Sequence, residues 1–132
     1  MRKIDKIIIH CSATPAGQYV DAMKIDRWHR ERGFKYIGYH YVVLLDGRVE
    51  KGRRDCEPGA HCKGQNAHSI GVCYIGGLDE NMQPADTRTK AQRVALRELV
   101  ERLQRLYSGA TVHGHCEFAR KACPCFNVDD DL

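Results

Sequence analysis

Apolar positions along this chain recur with two periods, and the change from one to the other marks its elements. The run Ile7-Ile8-Ile9, followed by His10 and Cys11 and broken at Thr14-Pro15-Ala16-Gly17, is short, continuous and β-branched. That predicts a buried, central strand. From Asp21 the spacing turns helical: Ile25, Trp28 and His29 predict a helix to about Arg32, stopped by Gly33. Residues 38–52, GYHYVVLLDGRVEKG, hold a β-rich run, the tight-turn pair Asp46-Gly47 and a second short run. These predict a hairpin.

Residues 53–69 show no period and are rich in Gly, Cys, His and Asn, so they predict one long loop. Loops of that length in a compact domain are commonly functional. SIGVCYIGG (69–77) predicts another buried strand ended by Gly76-Gly77, and Thr87 or Thr89 is placed to cap the next element. Residues 90–109 give the clearest helix, with Ala95, Leu99, Leu103 and Leu106 as an apolar stripe widened by Leu96 and Val100. TVHGH (111–115) predicts a last short strand before an irregular tail. Strands and helices alternate without a strict βαβ rhythm, and one hairpin is plain. The expected fold is α/β (mixed α+β): a single domain, residues 1–132 with its core at about 4–128, built on a central mixed sheet flanked by helices.

Composition narrows the function classes. At 132 residues, 42% apolar and 29% charged, the chain can bury one core without a staple. It has no run approaching the roughly 20 apolar residues that span a membrane. The apolar run near the N-terminus is too short for a signal-peptide core, so cytoplasmic synthesis is expected, with no membrane insertion and no separate wall-binding domain. A net charge of +4, much of it arginine beside glutamate on the predicted helices, is a solvated surface rather than a nucleic-acid footprint. A monomer is expected. Seven cysteines in a cytosolic chain favour metal binding or catalysis over a disulfide framework, although Cys11 and Cys73, inside apolar runs, read simply as small buried hydrophobes.

A catalytic zinc site draws three ligands from His, Cys, Asp and Glu and leaves one position open. By residue type and placement the candidates are His10 at the end of the first strand, His113 or His115, and Cys123 or Cys125. His113 and His115 would share one strand face, so spacing does not choose between them. The tail lacks the paired CxxC spacing of a structural zinc knuckle.

The segments IIIHCSAT (7–14), GYHYVVLLDG (38–47), GAHCKGQNAHSIGVCYIGG (59–77) and HGHCEFARKACPCFNV (113–128) resemble the signature blocks of the zinc-dependent N-acetylmuramoyl-L-alanine amidases. The likeness is closest to the phage-lysozyme type of that family, which is related to the peptidoglycan recognition proteins, and it spans residues 4–128 in order. The resemblance implies one catalytic Zn2+ held by His10, by His115 (the histidine of Gly114-His115 with Glu117 after it) and by Cys123 of KACPCF. It implies Tyr39 of GYH and Lys121, two places before Cys123, as the catalytic pair. It also places the loop carrying His61 and Asn66 beside the substrate groove, as substrate-binding or supporting residues. His40 on this reading points to the opposite sheet face, and His29 and His68 are surface residues. Two departures are visible: Cys116-Glu117 stands where the family often has Arg-Asp, and Cys125 stands where many relatives place a small residue.

The chemistry suits these groups. Amide hydrolysis at neutral pH needs a nucleophile stronger than water and stabilisation of a tetrahedral oxyanion. A phenol and an ammonium can each donate to that oxyanion, worth about 2.7–4 kcal/mol per donor in well-studied cases. The implied reaction is hydrolysis of the amide between N-acetylmuramic acid and L-alanine in peptidoglycan or a muropeptide by a stand-alone, endolysin-like enzyme of a phage or prophage, which acts on the wall when released at lysis. The alternatives are a non-catalytic peptidoglycan-binding module and a cytoplasmic muropeptide-recycling amidase.

Overall fold

Strand β1 (Lys6–Cys11) runs through the interior of a five-stranded sheet in the computed structural model, which describes residues 2–132. The other strands are β3 (Tyr41–Val43), β4 (Val49–Lys51), β5 (Ser69–Tyr74) and β7 (Thr111–Gly114), in the spatial order β4-β3-β5-β1-β7. Every pairing is parallel except the edge hairpin β3–β4. A two-stranded parallel pair, β2 (Thr14–Pro15) with β6 (Gly77–Leu78), forms a separate small sheet in the segments just after β1 and β5. Parallel strands need both faces covered, and two helices do this. Helix α2 (Lys90–Leu106) packs Leu96, Leu99, Val100 and Leu103 onto Ile7, Ile9, Val72 and Tyr74. Helix α1 (Ala22–Glu31) lays Ile25 beside Val42, Leu44, Cys73 and Ile75 on the other face. Each such fully buried aliphatic side chain contributes about 1.5–3 kcal/mol relative to exposure, and a short helix α3 (Val128–Asp131) adds Val128 to the α2 side.

The predicted elements form where their patterns placed them, as a mixed α/β single domain. Asp21 caps α1, its carboxylate accepting from the Lys24 N–H at 2.9 Å. The hairpin turn carries Gly47 at φ +89°, the left-handed conformation such a turn requires. Thr89, rather than Thr87, caps α2 through a reciprocal capping box with Gln92.

Three expectations change. Helix α2 stops at Leu106, and Leu106 is 64% exposed. Tyr107, one residue on, completes the stripe: its ring packs beside the core and its hydroxyl donates to Asp55 at 2.6 Å. At the other end the stripe is opened by a buried polar residue, Gln92, whose amide donates to the carbonyls of Ile75 (2.9 Å) and Val43 (3.3 Å). The long loop 53–69 closes with a single 3-10 turn, Asn66–His68. Finally, β7 ends at Gly114 and His115 opens a 3-10 turn to Glu117, so His113 and His115 do not share a strand face.

Candidate active site

Side chains alternate along β1, so Ile7, Ile9 and Cys11 face α2 while His10 faces the α1 side. The register then decides who meets His10. Ile9 pairs with Gly114 across β1–β7, so His115, the next residue of the tail, arrives beside the next residue of β1. The two rings lie 4.5 Å apart, centroid to centroid. Glu117 fixes this corner, one carboxylate oxygen accepting from the Gly114 N–H (2.8 Å) and the other from His113 Nδ1 (2.9 Å). The acid that departs from the expected Arg-Asp thus supports the turn, and His113, bonded to Thr111 and Glu117, is occupied away from His10.

The tail returns to bring in Cys123. Its sulfur accepts the backbone N–H of Cys11 at 3.2 Å, its carbonyl accepts the Cys116 N–H at 2.8 Å, and the buried Tyr74 hydroxyl donates to the neighbouring Pro124 carbonyl at 2.6 Å. One donor atom from each of His10, His115 and Cys123 then lies within 4.8 Å of the others. Cys125, the competing thiol, instead faces Cys11, with the two sulfurs 3.9 Å apart.

These groups form the floor of an open cleft of about 590 Å³ at the C-terminal ends of the parallel strands, where open α/β sheets generally place their sites. Tyr39 forms part of the wall, its ring 5.1 Å from that of His10, and Lys121 lines the cleft as an exposed side chain. Burial drives the Tyr39 phenol well above its ordinary pKa, with the nearby thiols adding to the effect, so it stays a hydrogen-bond donor at neutral pH. Burial likewise pushes His10 well below the usual imidazole range, reinforced by His61 and His115. His115 is lowered by burial and by the Lys121 charge.

His61 and Asn66 also line the cleft. The Asn66 side-chain oxygen accepts from the backbone N–H groups of His61 (2.9 Å) and Cys62 (3.0 Å), which pins the loop. His61 Nδ1 lies 2.8 Å from His10 Nε2, a contact no local sequence signal announces. His29 corrects the surface expectation: it is 7% exposed, lines the cleft 5.3 Å from the Tyr39 ring and accepts the Gly38 N–H at 2.9 Å. The signal was present, since His29 shares the helical spacing of Ile25, and its Nδ1 satisfies a backbone donor that burial would otherwise orphan. His40 is fully buried, accepting the Gly71 N–H and donating to the Glu57 carbonyl, a tie between β5 and the long loop.

A family model described as N-acetylmuramoyl-L-alanine amidase matches residues 1–126. The chain belongs to this amidase family. It is 44% identical over 124 residues to the endolysin of Escherichia phage T7, covering 94% of this chain and 82% of that protein. Against the endolysin of Klebsiella phage KP32 the identity is 42% over 127 residues, covering 96% and 84%. Among solved structures it is similar to the N-acetylmuramoyl-L-alanine amidase LysC from Clostridium intestinale URNW, with a TM-score of 0.81 and 27% identity over 93% of this chain and 77% of that one. Among the described residues no helix is long and apolar enough to cross a membrane.

The amidase's donor set fits a metal ion on its own chemistry. Two imidazoles held neutral by burial and one thiol supply two nitrogens and a sulfur from three separate segments. Zn–N distances of about 2.0–2.1 Å and a Zn–S distance of about 2.3 Å place tetrahedral donors roughly 3.5 Å apart, which the present spread accommodates with small side-chain shifts. Two neutral ligands and one thiolate leave a divalent ion a net charge of +1.

Proposed function

We propose that this amidase is zinc-dependent and cleaves the amide between N-acetylmuramic acid and L-alanine in peptidoglycan, acting as an endolysin. The observation that carries this reading is the His10, His115 and Cys123 donor cluster on the floor of a cleft that also presents Tyr39 and Lys121. The family match and the phage endolysin relatives support the reaction and the lytic role.

His10, His115 and Cys123 would hold the ion, whose chemistry there is Lewis acidity toward the scissile carbonyl and the attacking water. The chain's own groups supply the rest. The Tyr39 phenol, kept protonated by burial, donates a hydrogen bond to the oxyanion that develops as the carbonyl turns tetrahedral. The Lys121 ammonium adds a positive charge to the cleft, where it costs little to hold because it remains in water. His61 and Asn66 shape the wall against which substrate lies, and Arg32 and Lys63 make the rim basic, which suits a stem peptide ending in carboxylates. Cys11 supports the metal-binding thiol through its backbone N–H.

The test is digestion of purified peptidoglycan by zinc-loaded and chelator-treated protein, with mass spectrometry of the products. Stem peptides with a free L-alanine amino terminus, released only by the loaded protein, are the expected result. Binding to the wall without release, or equal release after chelation, overturns the proposal.

A further inference from the structure

A chain of hydrogen bonds leads from the sheet to the first of the three donor residues. The Ser69 hydroxyl has one hydrogen, and it donates that hydrogen to the Gln65 carbonyl at 2.7 Å. Toward His61 Nε2, 3.2 Å away, the same oxygen can therefore only accept, so Nε2 carries the proton of the His61 ring. A neutral imidazole has a single N–H, which leaves His61 Nδ1 as a lone pair. That lone pair faces His10 Nε2 at 2.8 Å, so His10 Nε2 must be the donor. His10 Nδ1, which has no hydrogen bond among the described residues, is then the bare nitrogen.

The surroundings hold this orientation. Strand β5 presents Gly71 beneath His61, and a Cβ there would fall 2.6 Å from two ring carbons, so only glycine lets the ring lie against the sheet. Asn66 ties the backbone on either side of the ring's attachment, and the two rings meet edge to face with centroids 4.9 Å apart. The partner that orients His10 is thus a neutral imidazole rather than a carboxylate. It can set direction without adding negative charge to the site.

We infer that His61 is a positioning residue: it fixes the tautomer and ring plane of His10 so that Nδ1 is presented to the metal, with Ser69 and Gly71 fixing His61 in turn. This rests on the reading of the cluster as a metal site. Groups that orient a metal-binding histidine in this way are worth roughly 10–100-fold in metal affinity.

Two measurements on the whole chain test it: Zn2+ affinity by competition with a chromophoric chelator, and long-range proton–nitrogen NMR of the imidazoles in metal-free protein. In the wild type, His10 and His61 should both appear protonated at Nε2. His61→Leu, which keeps bulk but has no acceptor, should lose about 10–100-fold in Zn2+ affinity and show mixed tautomers at His10. His61→Asn, whose amide oxygen can stand near the lost Nδ1, should stay within a few-fold of wild type. If the leucine variant fails to fold by circular dichroism, Ser69→Ala serves instead: freeing His61 to take its other tautomer should mix the His10 tautomers. A wild-type His10 protonated at Nδ1, or a folded His61→Leu with wild-type affinity and an unchanged His10, overturns the inference. A wild-type protein that takes up no Zn2+ overturns the metal reading, and the NMR tautomers then still decide the His61–His10 relationship by themselves.

Discussion

The rings of His10 and His115 lie 4.5 Å apart at the ends of two neighbouring parallel strands, because Ile9 pairs with Gly114 and each histidine is the next residue along its segment. Cys123 completes the group from the returning tail. The core beneath is built by other side chains, Ile7, Ile9, Val72 and Leu99 among them, with Cys123 only half-buried at its margin. A chelator should therefore abolish activity and leave the domain folded. Far-UV circular dichroism should be unchanged, with stability lower only by the linkage contribution, about 4 kcal/mol at a thousandfold excess of metal over its dissociation constant. His115→Ala and Cys123→Ala should reproduce the loss of activity and of bound metal with the fold intact. Unfolding on chelation would make the site structural instead.

Tyr39→Phe should keep the metal and the fold but lower kcat by about 10²–10³-fold, as expected when one donor to a developing oxyanion is removed. Because burial holds the phenol well above its ordinary pKa, Tyr39 should contribute no alkaline loss of activity below pH 10. Lys121→Met should lower kcat with little change in bound metal. Steady-state rates paired with metal content separate these outcomes from loss of the ion.

Stability should fall as the pH drops below about 6.5, well before the carboxylates titrate. Burial lowers both His29 and His40 to about 4, so between 6.5 and 4 the unfolded chain binds more protons than the folded one. Their stabilising effect is fully present above the unfolded value near 6.5 and is lost as the pH falls through the folded value. Each can contribute up to about 1.4 kcal/mol per pH unit in that window. Urea unfolding of metal-free protein from pH 7 to 4 reads the slope, and His40→Gln should flatten it. A flat profile over that range contradicts the burial argument.

The Tyr74 hydroxyl reaches across to the Pro124 carbonyl beside Cys123 and is buried there. Tyr74→Phe leaves that carbonyl without its donor, a cost of about 1–3 kcal/mol in a buried setting. Urea titration should show this loss. Metal affinity should fall as well, because the same bond holds the segment that presents Cys123, whereas a purely local effect would lower stability alone.

Much of the scaffold could be read along the chain. The isoleucine run of β1, the Asp46-Gly47 turn, the Asp21 and Thr89 caps and the stripe of α2 are local patterns, each enforced by hydrogen bonding and burial within a few residues. His29 belonged to such a pattern too, through its spacing from Ile25, although a histidine in that place reads as exposed until the Gly38 N–H is seen to need an acceptor.

The site is different in kind. By residue type the sequence offered His10, His113 or His115, and Cys123 or Cys125, and resemblance to a family was needed to choose among them. The tertiary structure reaches a grouping by parallel register, which sets His115 rather than His113 against His10, and by the return of the tail, which turns Cys123 toward the cluster and Cys125 toward Cys11. The His61–His10 contact depends on a loop folding over Gly71, and neither partner carries a local mark of it. Periodicity records which side of an element is buried, because burial acts on every residue of that element. It does not record which strand lies alongside or in what register, and those long-range pairings are what assemble the donors of this amidase.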